Sequence, residues 1–150
     1  MLYKRIKDET KLIAKWKLLS AKPYYFHVFL WEDQESFEKN SLTGEFKSKD
    51  YAGSTNLAPF IIQVTSQGNQ IIVKPKLGEV HFIKDKWDME IVAHELTHVL
   101  IHRMRVLKPL AKDIIDQIEE GEEIICYEFG SWVDQVYRLL WEINPAPHNP

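Results

Sequence analysis

The sequence predicts an α+β fold, a small twisted sheet packed against a helical layer. Two observations predict it: strand-like runs separated by turn residues fill the middle of the chain, and helix-forming patterns occupy residues 88–143. At 150 residues the chain fits one domain, with a short mobile tail from about residue 145. A composition 45% hydrophobic is enough for a core without disulfide support.

Residues Leu2 to Leu19 mix charged and apolar residues at loose helical spacing, so a first helix is expected there. Tyr24 to Trp31 (YYFHVFLW) is aromatic and β-branched and follows Pro23, which reads as a strand. Glu32 to Tyr51 is polar and is expected to be irregular, with at most one short helical turn. Pro59 to Thr65 and Gln70 to Lys74 flank Ser66-Gln67-Gly68-Asn69, a hairpin pattern. Glu79 to Ile83, preceded by Gly78, is a further short strand.

Asp88 is a good helix N-cap, and Glu90 and Glu95 lie near the positive end of the helix that follows, which is expected to run to about Arg105. Pro109 suits the start of another helix, ending near Glu120. Gly121 interrupts that pattern. Glu122 to about Ile143 reads as a long final helix, stopped by Pro145 and Pro147.

A formal net charge of -3 implies no basic face, so a nucleic-acid partner is not expected. Charges break every apolar run before membrane-spanning length, and no signal-peptide core is visible, so no membrane partner is expected. The single cysteine, Cys126, cannot form an internal disulfide, and the expected setting is cytoplasmic.

The chemistry concentrates in His94-Glu95-Leu96-Thr97-His98. Histidines four residues apart on a helix lie one turn apart on one face, so both imidazoles can reach one metal ion. Glu95 is rotated by about 100° and reaches a water on that metal without being a ligand. With this composition the pattern is expected by chance only roughly 0.02 times. Val92, Ala93, Leu96, Val99 and Leu100 fall on the opposite, core-facing side, leaving His94, Glu95, His98 and His102 toward a cleft. Zinc in such sites takes three protein ligands and keeps a fourth position for water, whose proton the glutamate removes.

Ile101 and Met104 close the option of a third histidine ligand from an extended motif, leaving a carboxylate from a later helix. Glu119, Glu120, Glu122, Glu123 and Glu128 are the candidates. Glu123, Cys126, Gly130 and Val133 form one helical stripe, whose two small residues would let the helix approach a neighbour closely. Glu122 lies nearer the bulky stripe of Ile125, Phe129, Trp132 and Val136, so geometry favours Glu123 and keeps Glu122 as the alternative.

HELTHVLIH followed by EEIICYEFGSWV resembles the ImmA/IrrE family of zinc metallopeptidases, over about Glu79 to Leu140. That family's pattern is HExxHxxxH, then a helix resembling ExxA(N)xFA. Aligning Phe129 places Glu123 on the family's metal-binding glutamate and Cys126 and Gly130 on its two small positions. Tyr127 stands where the family usually has Asn, and Thr97 where it usually has Gly. The resemblance implies a minimal gluzincin, a zincin-like fold, and cytoplasmic peptidase activity with Zn2+ on a protein or peptide substrate. It does not reach residues 1–75.

The expected site is therefore His94, His98 and Glu123 as metal ligands with Glu95 as general base. The alternatives are a zinc hydrolase acting on another amide or ester, and a catalytically silent zinc-containing regulatory or binding protein. His102 is expected to stabilise an oxyanion, to support a ligand, or to be a plain surface histidine. Tyr127 and Tyr137 are potential phenol donors but more commonly packing groups. Trp132, Trp141 and Cys126 read as core, and His27 and His81 as core or edge residues of strands. In zinc peptidases of this type a strand before the active helix often borders the cleft, so Glu79 to Ile83 is expected either to offer a free edge to an extended peptide or to be a purely structural strand.

Overall fold

The computed structural model describes residues 8–20, 23–41, 52–58, 61–72, 75–107 and 114–145. Among these, a mixed four-stranded sheet, a separate hairpin and three helices form an α+β arrangement. The main sheet has the order β1-β2-β6-β3, from β1 (Leu12–Leu19), β2 (Tyr25–Trp31), β6 (Lys76–Ile83) and β3 (Gly53–Leu57). The central pair, β2 and β6, is parallel, and β1 and β3 flank it antiparallel. Both central strands are buried on both faces along most of their length, which suits the nearly continuous apolar sequence of β2, while β6 also buries Glu79 and His81.

The expected first helix is corrected by β1, its first part lying outside the described residues. In LIAKWKLL the exposed Lys15, Lys17 and Leu19 alternate with Ala14, Trp16 and Leu18. That period of two places one set on each face of a strand, and pairing with β2 outweighs the looser helical spacing. Residues 32–41 of the polar segment after β2 hold more order than expected, and residues 42–51 lie outside the described residues. Asp33 Oδ1 accepts a hydrogen bond from the Ser36 amide at 2.9 Å and caps α1 (Gln34–Ser41), which buries Phe37 against Phe29, Trp31 and Ile83.

The expected hairpin forms, from β4 (Ile61–Thr65) and β5 (Gly68–Ile72), but its turn is only Ser66 and Gln67, with Gly68 and Asn69 already paired in β5; residues 59, 60, 73 and 74 of the expected strands lie outside the described residues. Gly68 takes a φ of 123°, which glycine tolerates best. The expected strand at Glu79 to Ile83 forms as part of β6, but it lies inside the sheet between β2 and β3. It therefore has no free edge, and the edge strands of the sheet are β1 and β3.

Asp88 caps α2 (Met89–Leu107) as expected, accepting from the Ile91 amide at 2.8 Å. The two expected final helices are one, α3 (Ile114–Ile143), which runs through Gly121. A glycine inside a helix costs only about 1 kcal/mol relative to alanine, and the strong amphipathic stripe ending in Trp132, Val136 and Leu140 offsets it. Pro109, the expected helix start, and residues 146–150 of the expected tail lie outside the described residues.

The main core lies between the sheet and α2 and α3. It gathers Phe26, Val28 and Leu30 of β2, Val80 and Phe82 of β6, Val92, Leu96 and Val99 of α2, and Trp132, Val136 and Leu140 of α3. Asn144, just past α3, fixes the loop that launches α2. Its Oδ1 accepts from the Asp85 amide (2.8 Å) and from Trp87 Nε1 (3.0 Å), while its Nδ2 donates to Asp85 Oδ1 (2.7 Å). Asp85 has a φ of 65°, a conformation that Asp accepts more readily than most residues.

Candidate active site

The core-facing side of α2 is as the sequence predicts: Val92, Leu96 and Val99 are buried, Ala93 and Leu100 partly so. That orientation places His94 and His98 on the exposed side. Their ring centroids are 5.1 Å apart, with the rings at 76° to each other. Imidazole nitrogens one helical turn apart are a common pair of zinc donors.

Glu95, between them in sequence, is 6% exposed. Its Oε1 lies 4.0 Å from His94 Nε2. The edge strand β3 makes its seat. A Cβ on Gly53 would come within 2.8 Å of Ile91 Cγ2 and 3.0 Å of Glu95 Cγ, so any side chain there would displace the Ile91 and Glu95 side chains. Two residues on, and so on the same face of the strand, Thr55 Oγ1 donates to Glu95 Oε2 and also lies 3.1 Å from the Glu95 carbonyl oxygen. Burial pushes the Glu95 carboxyl above its ordinary value, opposed by the Thr55 hydrogen bond and by the nearby His98 and His94. A carboxyl raised by burial yet still hydrogen-bonded is poised to take and release a proton.

His102 is not a surface histidine. It is 6% exposed and makes a hydrogen bond to the backbone of Ala58, the residue after β3. Burial lowers its pKa, the Ala58 bond opposes that shift, and Arg105 adds to it. Thr55–Glu95 and Ala58–His102 thus tie β3 to α2 at two points. Seven residues of helix and three of strand each span about 10 Å, so the two elements run side by side in the same direction.

The third ligand is where the sequence argument loses a support. Cys126 is exposed, not core, and a Cβ on Gly130 would meet nothing within 4 Å. Among the described residues nothing packs closely against these two small positions, whereas Val133, at the end of the same stripe, packs against the main core. Glu122 and Glu123 are both exposed. Glu128 is engaged elsewhere: its Oε2 lies 2.7 Å from Arg103 Nη2, and its Oε1 accepts from Ser20 Oγ at 2.6 Å. The side chains of Glu119 and Glu120 lie outside the described residues. Among the described residues no three His, Cys, Asp or Glu side chains are gathered as a metal site. His94 and His98 supply two of the three protein donors that a catalytic zinc site takes, and the assignment of Glu123 as the third stands on the resemblance.

Tyr137 is a packing group, edge-on to Trp87 and stacked on Trp141. Trp132 is core as expected, whereas Tyr127 is largely exposed. His81 is fully buried and its Nδ1 accepts from Trp31 Nε1 at 2.9 Å. His27 lies among Tyr25 and Phe29 on β2. Sequence reasoning missed Gly53 and Thr55 altogether. The signal available was faint, a glycine followed by Ser-Thr-Asn with no apolar alternation.

Comparison with protein-family models, with curated proteins and with solved structures finds no match for this chain.

Proposed function

We propose that the protein is a zinc-dependent metallopeptidase of the ImmA/IrrE type with a zincin-like fold, in which His94, His98 and Glu123 hold the metal and Glu95 is the general base. The observation that carries the reading is the buried carboxyl of Glu95, hydrogen-bonded from β3, beside two exposed imidazoles one helical turn apart. An amphipathic helix that carried histidines by chance would have no use for a carboxyl enclosed at that point, because enclosure disfavours its charged form.

Zinc, when bound, acidifies a water and polarises the scissile carbonyl. Glu95 accepts the proton of the attacking water and returns it to the departing amine, as the new C–O bond replaces the C–N bond. An extended peptide would lie along β3, the edge strand beside α2. The same machinery would serve another amide or ester, and the choice of peptide rests on the resemblance.

The test compares purified wild type with Glu95→Gln on a peptide library prepared from a whole proteome, with products read by mass spectrometry. The expected outcome is unchanged zinc content and a loss of turnover of about 100-fold or more in the variant. Cleavage by Glu95→Gln at the wild-type rate, with contaminants excluded, contradicts the assigned role.

A further inference from the structure

We infer that Thr55 is a positioning residue for Glu95, holding one carboxylate oxygen so that the other is left to handle the proton. The inference rests on the hydrolase reading above and adds to it a residue from the half of the chain that the motif does not reach.

The geometry assigns the two oxygens of Glu95 different surroundings. Oε2 accepts from the Thr55 hydroxyl. Oε1 is the oxygen on the His94 side, 4.0 Å from Nε2. A hydroxyl carries one hydrogen, and the Glu95 carbonyl oxygen at 3.1 Å is the competing acceptor. An ionised carboxylate is the stronger acceptor, so the hydrogen goes to Oε2 when Glu95 is charged.

The backbone supports the same assignment independently. Thr55 sits on β3 two residues from Gly53, whose missing side chain makes the room that Glu95 occupies. The strand is held in register by pairing Thr55 with Val80 and Gly53 with Phe82 on β6. The hydroxyl is therefore presented from a sheet and not from a loop, with little freedom to drift. Loss of such a bond leaves Glu95 in place but free to rotate, which slows the chemical step and leaves substrate binding largely alone.

The experiment uses the full chain as wild type, Thr55→Val, Thr55→Ala and Thr55→Ser, with the best-cleaved peptide of the proteome-derived library as probe. Zinc content, kcat and KM are measured for each. Thr55→Val and Thr55→Ala are expected to keep zinc and a KM within about twofold of wild type, with kcat lower by about tenfold or more. Thr55→Ser keeps the hydroxyl and is expected to return kcat to within about threefold of wild type. If Thr55→Val does not fold, the comparison of Ala with Ser decides the matter alone. Wild-type kcat in Thr55→Ala, or a Ser variant as slow as the Ala variant, overturns the positioning role while leaving the hydrolase reading standing. A zinc-loaded wild type that cuts no peptide in the library overturns the peptidase reading and this inference with it.

Discussion

At the scale of single residues, the chain places several ionisable groups where water is scarce. His27 is one whose consequence can be measured. Burial, and then the charges of Lys76, Lys15 and Lys17, lower its pKa from 6.5 to about 4. Between those values the unfolded chain binds a proton that the folded protein refuses. The stability associated with a neutral His27 is thus fully present above pH 6.5 and is lost as the pH falls toward 4. Urea midpoints at pH 7 and pH 5 should show a larger drop for wild type than for His27→Phe. Equal drops would show that His27 is not the group responsible. At this scale helical spacing placed His94 and His98 together on the exposed side of α2, but it set Glu95 and His102 toward a cleft, where the structure buries both beside β3. The sequence was uninformative about Thr55, because a hydrogen bond between residues forty positions apart leaves no local trace.

At the scale of elements, the end of β1 and the two long helices are joined by a small polar network. Arg103 of α2 donates from Nε to Ser20 Oγ at 2.8 Å, pairs with Glu128 of α3, and leaves Ser20 to donate to the same carboxylate. Arg103 is 7% exposed, so removing its partner leaves a guanidinium with little access to water. Glu128→Gln should therefore cost about 2–4 kcal/mol in urea denaturation. It should retain zinc, since Glu128 is committed to this network. Zinc loss in a correctly folded Glu128→Gln would instead make it the missing ligand. The elements that could be read in advance were those with local signals: β2 from its apolar run, the second part of β6 from the short segment after Gly78, the hairpin from its turn, α2 from its cap. The others were settled by tertiary partners. Leu12 to Leu19 became a strand because β2 offered a register. Gly53 to Leu57 became one because β6 had an unpaired side. Gly121 stayed helical because the stripe beyond it was anchored in the core.

At the scale of the whole molecule, the candidate site draws on both halves of the chain. The motif and its resemblance lie in residues 79–140, yet the seat of Glu95 is Gly53 and Thr55, and His102 is tied to Ala58. The first half is therefore part of the site and not an appendage to it. Among the described residues no helix is long and apolar enough to cross a membrane. The central claim is that this assembly holds zinc, and elemental analysis of protein purified without chelators tests it most directly. Wild type should carry about one zinc per chain. His94→Ala and His98→Ala should lose it, and in a mild chelator competition Glu123→Ala should lose it while Glu122→Ala keeps it. A folded wild type without a stoichiometric transition metal would contradict the account.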